Sequence, residues 1–224
     1  TCWGLNNWAQ AAGRDGPYRQ VSAGFWHTCA LKPDGGADCW GAGLAAGDRL
    51  GPFVQLDSGD FHVCGLKPNG SVECWGGGLS DEGQWANQTG PFVQISVRSF
   101  HSCGLRPNGS VDCWGAQGTH NFGQAADQIG PFIQVTTGEF HSCGLRASGS
   151  VDCWGTPEAE DNHGQAADHA GPFVRISAGY SHTCGLRRDG RVVCWGLNDD
   201  GQAEGQTGPF GRTYYDWALP VIIR

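Results

Sequence analysis

Five pairs of cysteines, each pair ten residues apart, constrain most strongly what this chain can fold into. In the copy from Phe100 to Gly115, Cys103 and Cys113 lie symmetrically about Pro107-Asn108-Gly109. Proline presets the first residue of a turn, and Asn and Gly accept the left-handed backbone that closes a three-residue hairpin loop. We therefore predict a β-hairpin whose cysteines face each other and form a disulfide. The predicted pairs are Cys29–Cys39, Cys64–Cys74, Cys103–Cys113, Cys143–Cys153 and Cys184–Cys194.

Each hairpin is part of a longer repeat that opens with Gly-Pro-aromatic and closes with Cys-Trp-Gly. Twelve residues separate the proline from the first cysteine in all five complete copies, as from Pro17 to Cys29. The repeats are 35 to 41 residues long, and all of the variation in length lies between Cys-Trp-Gly and the next Gly-Pro-aromatic. A segment of constant length followed by one of variable length indicates rigid strands followed by a surface loop. We predict three antiparallel strands in each repeat and a weaker fourth strand in the loop, around Gly123, Gly164 and Gly201.

Repeats of this size and strand content are typical of propeller blades, which stack because one blade cannot bury both its faces. Residues 1–15 supply only the end of a repeat, and residues 208–224 only its beginning. We therefore predict one all-β domain over residues 1–224, a six-bladed β-propeller whose termini share a split blade. The complete blades begin near residues 16, 51, 90, 130 and 171. Cys2 has no partner in this scheme, so we expect it to be free or bonded to another chain.

Composition indicates a secreted protein. The ten paired cysteines lie outside any Cys-x-x-Cys motif, which favours an oxidising compartment over a zinc ribbon or a thioredoxin-like site. The chain starts at Thr1 without a leader, and we expect a mature product; the alternative is a cytosolic protein with ten reduced thiols. The net charge of −8, with scattered Lys and Arg, argues against nucleic-acid binding, and no apolar run is long enough to span a membrane.

The sequence contains no catalytic or cofactor-binding motif, and every notable polar position recurs from repeat to repeat. Because an active site breaks repeat symmetry, we predict that the protein is not an enzyme and holds neither a cofactor nor a metal. One histidine lies two residues before each first cysteine, where His-x-Cys could ligate zinc or copper. A packing role, with a hydrogen bond to a neighbouring turn, accounts for the regular pattern better. These histidines are His27, His62, His101, His141 and His182.

Two further repeated positions have structural interpretations. A basic residue follows each hairpin leucine within cross-strand reach of an acid, which predicts one surface ion pair per blade; a cationic binding ring is the alternative. The residues are Lys32, Lys67, Arg106, Arg146 and Arg187, opposite Asp38, Glu73, Asp112 and Asp152. The tryptophans of Cys-Trp-Gly should fill the space between blades. They are Trp3, Trp40, Trp75, Trp114, Trp154 and Trp195.

Aromatic residues in the variable loops are the candidates for ligand binding, because no packing rule of the repeat requires them. These are Trp8, Trp85 and Phe122, which could equally pack beneath the loops. Sequons for N-glycosylation occur at Asn69, Asn87 and Asn108, two of them at exposed hairpin tips.

The motifs His-[Thr/Ser]-Cys-[Ala/Gly]-Leu, Asp/Asn-Gly, Cys-Trp-Gly and Asn-x-x-Gly-Gln resemble the regulator of chromosome condensation repeat family. The resemblance is greatest to its cysteine-bearing variant, found in bacterial extracellular proteins and in Crinkly-type receptor kinase ectodomains. It implies a β-propeller, often with seven blades, so a seven-bladed ring is the alternative to six. Members include a nuclear nucleotide exchange factor, kinase ectodomains, secreted binders and a β-lactamase inhibitory protein. The predicted disulfides disfavour the nuclear role.

These observations together predict a secreted, disulfide-stapled β-propeller that binds a protein or a glycan through its variable loops. Two alternatives stay open. The chain could be a structural subunit of an extracellular assembly that associates with itself, or a secreted inhibitor of an enzyme.

Overall fold

The computed structural model of the protein describes residues 2, 4–43, 46–77, 81–155 and 161–208, and these are all-β. Their 16 strands form five antiparallel sheets, which we number blades 1 to 5 in chain order. Blade 1 contains β1 (Gln20–Ala23), β2 (His27–Leu31) and β3 (Ala37–Gly41), and blade 2 contains β4 (Gln55–Ser58), β5 (His62–Leu66) and β6 (Val72–Gly76). Blade 3 contains β7 (Gln94–Val97), β8 (His101–Leu105) and β9 (Val111–Gly115). Blade 4 contains β10 (Phe132–Thr137), β11 (Ser142–Arg146) and β12 (Val151–Trp154), and blade 5 contains β13 (Phe173–Ala178), β14 (His182–Arg187), β15 (Arg191–Gly196) and β16 (Gln206–Thr207).

The cysteine hairpins fold in the predicted register. In blade 3, Cys103 lies opposite Cys113, and Leu105 opposite Val111. The backbone N–H of Gly109 donates to the carbonyl of Arg106 at 2.9 Å, which closes the three-residue loop. Gly109 is left-handed, with φ of +85°, but Asn108 is not, so the prediction for Asn108 was wrong. A type I turn followed by one left-handed residue needs glycine only at its last position.

Disulfide bonds join the opposed cysteines across each hairpin, and their Cα atoms lie 4.0 to 4.1 Å apart. This spacing follows from the register, because the two cysteines of a pair are direct cross-strand neighbours. The bonds are Cys29–Cys39, Cys64–Cys74, Cys103–Cys113, Cys143–Cys153 and Cys184–Cys194.

The fourth strand lies later in the loop than the sequence predicted. Gly123 has φ of +83° and begins a tight turn, as do Gly164 and Gly201. The chain pairs with the third strand only after this turn, for example where Gln128 bridges to Val111. A regular fourth strand is described only in blade 5, as β16 beside β15. The fourth strand was predicted too early in the chain because the Gly-Gln-Ala sequence forms the turn that precedes it.

The core lies between neighbouring blades and has the same composition at each interface. The disulfide face of one blade packs against a phenylalanine, an aliphatic residue and the Cys-Trp-Gly tryptophan of the next blade. Between blades 1 and 2, for example, the bond Cys29–Cys39 meets Phe53, Leu56 and Trp75. The prediction that the tryptophans fill the space between blades is therefore confirmed for Trp75, Trp114, Trp154 and Trp195. Trp3 lies outside the described residues.

Glutamines on the first strands add a polar link between the same blades. The amide of Gln55 donates to the carbonyl of Ile95 at 2.8 Å and accepts its N–H at 3.0 Å, as a neighbouring strand would. Gln20, Gln94 and Gln134 bind the following blade in the same way. These strands surround a cavity of about 70 Å³. Paired amide hydrogen bonds thus hold neighbouring blades to each other at their first strands.

Blade 1 departs from this pattern at its first aromatic residue. In blades 2 to 5 the ring of the Gly-Pro-Phe phenylalanine covers a glycine of the second strand, and Ala30 replaces that glycine in blade 1. Tyr18 replaces the phenylalanine and lies instead beside Gly16, with its hydroxyl donating to Asp38 at 2.6 Å. Blade 1 therefore packs its first aromatic ring differently from the other four blades.

No segment of the described ranges forms a helix that could cross a membrane.

Candidate functional site

The turns that join the first and second strands of the blades lie together at one end of the molecule, which we call the turn face. Its residues are 24–26, 59–61, 98–100, 138–140 and 179–181. Turns of neighbouring blades contact each other: a Cβ on Gly59 would lie 2.8 Å from the carbonyl of Arg98, and the N–H of Glu139 donates to the carbonyl of Tyr180. The variable loops begin at this end, since Gly77 N–H donates to the carbonyl of Phe61.

Every turn has the same backbone but a different middle residue. In each, the N–H of the first turn residue donates to the carbonyl of the repeated histidine three residues later, at 2.7 to 3.0 Å. The second residue of the turn changes from aromatic to acidic to hydroxyl across the blades. These residues are Phe25, Asp60, Ser99, Glu139 and Tyr180. The fold therefore holds this position in place while its chemistry varies.

A second position of this kind lies in the variable loops. In five of the variable loops, all except the one after blade 1, a glutamine side chain accepts the N–H of the residue two positions earlier, at 2.7 to 2.9 Å. The residue so held differs in each of these five loops. These residues are Trp8, Glu82, Phe122, His163 and Asp200. Two of the three predicted ligand-binding aromatics, Trp8 and Phe122, thus occupy equivalent positions, whereas Trp85 follows its glutamine and lies beside Gly77.

Aromatic rings connect blades 3, 4 and 5 across the turn face. Phe100 stacks on His120 with ring centroids 3.9 Å apart and lies parallel to Phe140 at 5.8 Å. Phe122 and Tyr180 meet Phe140 edge-on, at 5.2 and 6.4 Å. Phe122 is therefore part of a half-buried cluster, and Tyr180, at 52% exposed, is its most open member.

A cleft of about 270 Å³ lies on the turn face between blades 1 and 2. Among the described residues that line it, most are apolar and Asp60 supplies the one ionisable side chain. Trp8 is 58% exposed at this cleft, and Phe61 is 43% exposed. The lining residues are Trp8, Trp26, Ala42, Gly43, Asp60, Phe61 and Gly77.

Two carboxyl groups meet one hydroxyl beside the cleft. Ser99 Oγ lies 2.5 Å from Asp60 Oδ2 and 2.6 Å from Glu139 Oε2, so it links blades 2, 3 and 4. Burial raises the pKa of Glu139 to about 7, and the hydroxyl of Ser99 opposes that rise. A hydroxyl has one hydrogen to donate. The arrangement is therefore satisfied when the protonated Glu139 donates to Ser99 and Ser99 donates to the Asp60 carboxylate.

Three of the five repeated histidines, His62, His101 and His141, are buried and bond a hydroxyl of the next blade. His101 Nε2 lies 2.8 Å from Ser142 Oγ of the next blade, and that hydroxyl donates to the carbonyl of Gln124 at 3.0 Å. Since the hydroxyl hydrogen is used, Nε2 of the histidine must be the donor. Burial lowers the pKa of His62, His101 and His141 to about 3, which keeps these rings neutral. The predicted bond to a neighbouring turn thus runs through a hydroxyl.

The predicted ion pairs form in three blades. Lys67 pairs with Glu73 at 2.7 Å, and the Nε of Arg106 and Arg146 donates to Asp112 and Asp152 at 2.8 Å. In blade 1 the prediction was wrong, because Lys32 pairs with Asp48 at 3.2 Å and Asp38 binds Tyr18. The tyrosine at this position therefore takes the carboxylate that the lysine was expected to bind.

The predicted modification and cysteine sites lie away from the turn face or at its margin. Asn69 and Asn108 are exposed at the hairpin tips, and each side-chain oxygen accepts the hydroxyl of the serine two residues on. Asn87 is also exposed, and its oxygen accepts the N–H of Cys74. The thiol of Cys2 is half-buried and forms no disulfide within the described residues.

Sequence reasoning missed the two positions at which the repeats differ. The expectation that every notable polar position is repeated was wrong, because Asp60, Ser99 and Glu139 occur once each at equivalent places and contact each other. Aligning the repeats on their histidines and reading the residue two positions before would have found them. The glutamines of the first strands were also visible, three residues after each Gly-Pro proline in blades 1 to 4.

The sequence profile of the regulator of chromosome condensation (RCC1) repeat matches residues 18–44, 92–124, 132–165 and 173–202, together more than half of the chain. A comparison with curated proteins gives no match.

Solved structures share this fold. The CRINKLY WD40 ectodomain of the Arabidopsis thaliana receptor kinase ACR4 is 28% identical, with a TM-score of 0.66 over 84% of this chain and 66% of that one. The ectodomain of the Physcomitrella patens receptor kinase CR4 is also 28% identical, with a TM-score of 0.64 over 81% and 53%. Yeast RCC1 (Prp20), solved with Kap60, is 20% identical, with a TM-score of 0.65 over 80% and 56%, and shows the fold alone. The chain thus spans between about half and two thirds of the proteins it matches.

Proposed function

Because the chain belongs to the regulator of chromosome condensation repeat family, we propose that it is a secreted binding module that recognises a protein or a glycan through its turn face. The observation that carries this proposal is the contrast within each repeat. Positions between the blades have the same chemistry in almost every repeat, whereas two positions at the turn face have constant backbone and different side chains. A scaffold that fixes positions and varies their chemistry suits recognition.

The proposed extracellular location rests on the disulfides. Five bonds within 224 residues suit an oxidising compartment, since cytosolic thiols are kept reduced. Two of the similar structures are receptor kinase ectodomains.

We also propose that residues 1–224 form one domain, with a sixth blade shared by residues 1–15 and 208–224. Support comes from the two ends of the blade series. Leu186 and Val192 on the disulfide face of blade 5 are half-buried, whereas Leu145 and Val151 at the same positions of blade 4 are buried. At the other end, Val21 is 48% exposed, whereas the equivalent Leu56 is buried. A further blade between these faces would cover both.

Trp8 and Phe122 are proposed ligand contacts because they occupy one of the varied positions, and Trp85, in a third variable loop, is proposed as a further contact. Glycans on Asn69 and Asn108 would be compatible with this proposal. The hairpin tips that carry them follow the second strand, which runs away from the turn face. Sugar chains there would leave that face open.

Two matched triple variants test the proposal. Phe25→Ser, Phe61→Ser and Tyr180→Ser remove exposed aromatics of the turn face, where these residues are 60%, 43% and 52% exposed. The control carries Val54→Ser, Val93→Ser and Ile133→Ser at the starts of the first strands, at the opposite end, where exposure is 51%, 56% and 55%. Equal exposure makes the two sets comparable in their effect on solubility and stability.

Labelled wild-type protein and both variants would be applied to an array of immobilised glycans and purified extracellular proteins. We expect the wild type to bind at least one component, the control to bind it equally, and the turn-face variant to bind about tenfold more weakly. Retention of binding by the turn-face variant, or loss in the control alone, would place recognition elsewhere. Wild-type protein that binds no component would argue against a binding module of this kind.

A further inference from the structure

We propose that the cleft between blades 1 and 2 binds an organic cation of the quaternary ammonium class, held by Trp8, Trp26 and Phe61 around its charge and by the Asp60 carboxylate. This inference rests on the proposed function, because it assigns a ligand class to one part of the turn face. Aromatic rings attract cations through the negative charge of their faces, and trimethylated ammonium groups are bound in this way.

The shape and lining of the cleft favour a small ligand with one charged group. Its volume of about 270 Å³ lies just below the range of ordinary ligand pockets, which begins near 300 Å³. Three of its seven lining residues are aromatic, and the remaining apolar lining comes from Ala42, Gly43 and Gly77. A trimethylammonium group has no hydrogen-bond donors to satisfy, so an aromatic surface with few polar atoms suits it.

The charge of the site also fits a cation. Ser99 donates its only hydroxyl hydrogen to Asp60 when Glu139 holds the shared proton, so the negative charge lies on the carboxyl group that borders the cleft. Arg98 lies 3.8 Å from Glu139 and is not among the residues that line the cleft. The whole chain carries a net charge of −8, which raises the concentration of cations near its surface.

A sugar is the competing ligand for an aromatic cleft. A pyranose presents several hydroxyl groups, each of which needs a polar partner when it is buried. Among the described residues of the lining, Asp60 is the only ionisable side chain, and one of its oxygens already accepts the hydroxyl of Ser99. The other side-chain polar groups there are the indole N–H donors of Trp8 and Trp26. The cleft therefore matches a cation better than a sugar.

Choline and its neutral isostere 3,3-dimethylbutan-1-ol separate charge recognition from simple filling of an apolar space. Both would be titrated into the full-length protein at constant ionic strength, adjusted with sodium chloride, and followed by tryptophan fluorescence and by shifts of backbone amide resonances. We expect choline to saturate the site in the millimolar range and to bind about tenfold more tightly than the alcohol. The shifted resonances should belong to residues 8, 26, 60 and 61.

Three variants locate the effect. Trp8→Leu should weaken choline binding about tenfold, and Asp60→Asn about fivefold. Ile129→Ala is the control, because Ile129 is 93% exposed and does not line the cleft, and it should change the affinity less than about twofold. Thermal unfolding of each variant would show whether its fold is intact, and Trp8 is exposed enough for its loss to be tolerated.

Equal binding of choline and the alcohol would overturn the proposal, as would no saturation up to about 50 mM choline. Saturation by glucose or N-acetylglucosamine without choline binding would identify a sugar site instead. Each of these results leaves the array experiment unaffected, because the array measures binding of the wild-type protein to immobilised glycans and proteins, whereas choline binding depends only on the cleft. If the protein binds an array component but not choline, only the cation site is refuted. If it binds choline but no array component, only the macromolecular ligand is refuted.

Discussion

The interfaces between blades and the turn face are built by the same repeats, yet they follow opposite rules. Between blades, each described interface combines a disulfide, a leucine and a small or branched residue with a phenylalanine and a tryptophan of the next blade. On the turn face, the equivalent residues of successive blades are Phe25, Asp60, Ser99, Glu139 and Tyr180. Equivalent positions between the blades thus carry similar residues in every described interface, whereas the equivalent position of the turn carries a different residue in each blade.

The difference has a physical cause. A side chain between two blades must fill a closed volume, so a change of one methyl group alters the packing. A turn on the surface needs only its backbone hydrogen bonds, which here join the first turn residue to the following histidine. The middle residue of the turn is therefore free to acquire a function. The predictions below test this contrast, beginning with the closed interface, where the expected effect is largest.

The closest packing in the interface is between the Gly-Pro-Phe phenylalanine and the glycine beneath it. A Cβ on Gly104 would lie 2.5 Å from the ring of Phe92. We expect Gly104→Ala to lower the free energy of unfolding by about 3 kcal/mol, because the ring has no open space into which to move. Urea unfolding monitored by tryptophan fluorescence would measure the change.

Blade 1 offers the reverse substitution as a control. Ala30 occupies the equivalent position, and Tyr18 lies beside Gly16 instead of covering it. Ala30→Gly should cost only about 1 kcal/mol, from the backbone entropy of glycine in a strand. Equal costs for the two substitutions would mean that the glycine is not required by the ring.

The turn face should differ by responding to pH. Burial raises the pKa of Glu139 from 4.5 to about 7, and Asp60 adds to the rise, while Ser99, Arg98 and His120 oppose it. The folded state therefore holds a proton that the unfolded state has lost between these two values. The stabilisation is complete below pH 4.5, declines as the pH rises and is gone above about pH 7.

We expect the free energy of unfolding to fall by about 2 kcal/mol between about pH 5 and about pH 7.5 on account of this group. Glu139→Gln should remove most of that slope, because the amide stays neutral and can still donate to Ser99. The exposed Glu204→Gln is the control and should leave the slope as it is. A slope that is unchanged in Glu139→Gln would mean that the shared proton contributes nothing.

The two regions also differ in how far the sequence alone could predict them. The hairpin register, the disulfides and the tryptophan positions follow from spacing, because each depends on local geometry that every repeat obeys. The cluster of Asp60, Ser99 and Glu139 does not, since its members are about 40 residues apart and each looks like an isolated surface residue. Only the stacking of blades brings them together. The exchange of Tyr18 for Lys32 as the partner of Asp38 was hidden for another reason, because it follows from the altered position of the Tyr18 ring within blade 1.

The hydrogen bond from His62, His101 or His141, each of which follows a turn, to a hydroxyl of the next blade links the turn face to the interface. Removing this bond should lower the free energy of unfolding by an intermediate amount. Ser142→Ala leaves Nε2 of His101 without its acceptor, and a buried unsatisfied donor should cost about 1.5 kcal/mol. Ser142→Thr should restore most of this stability, because Thr183 performs the same role for His141 at 2.8 Å. A cost for Ser142→Thr as large as that for alanine would point to lost packing in place of the hydrogen bond.

The basic residue at the rim of the interface should have the smallest effect, and the blades themselves separate its two interactions. Arg106 pairs with Asp112 and also lies over the ring of Phe92, 4.8 Å from its centroid. In blade 5, Arg187 lies over Phe173 at 5.5 Å, and Val193 stands where the acid would be.

Asp112→Asn should cost about 0.5 kcal/mol, as exposed ion pairs do. Arg187→Gln should cost a similar amount through the cation–π contact alone. If Arg106→Gln costs no more than Arg187→Gln, the ion pair contributes nothing, and the basic residue is repeated because it covers the phenylalanine.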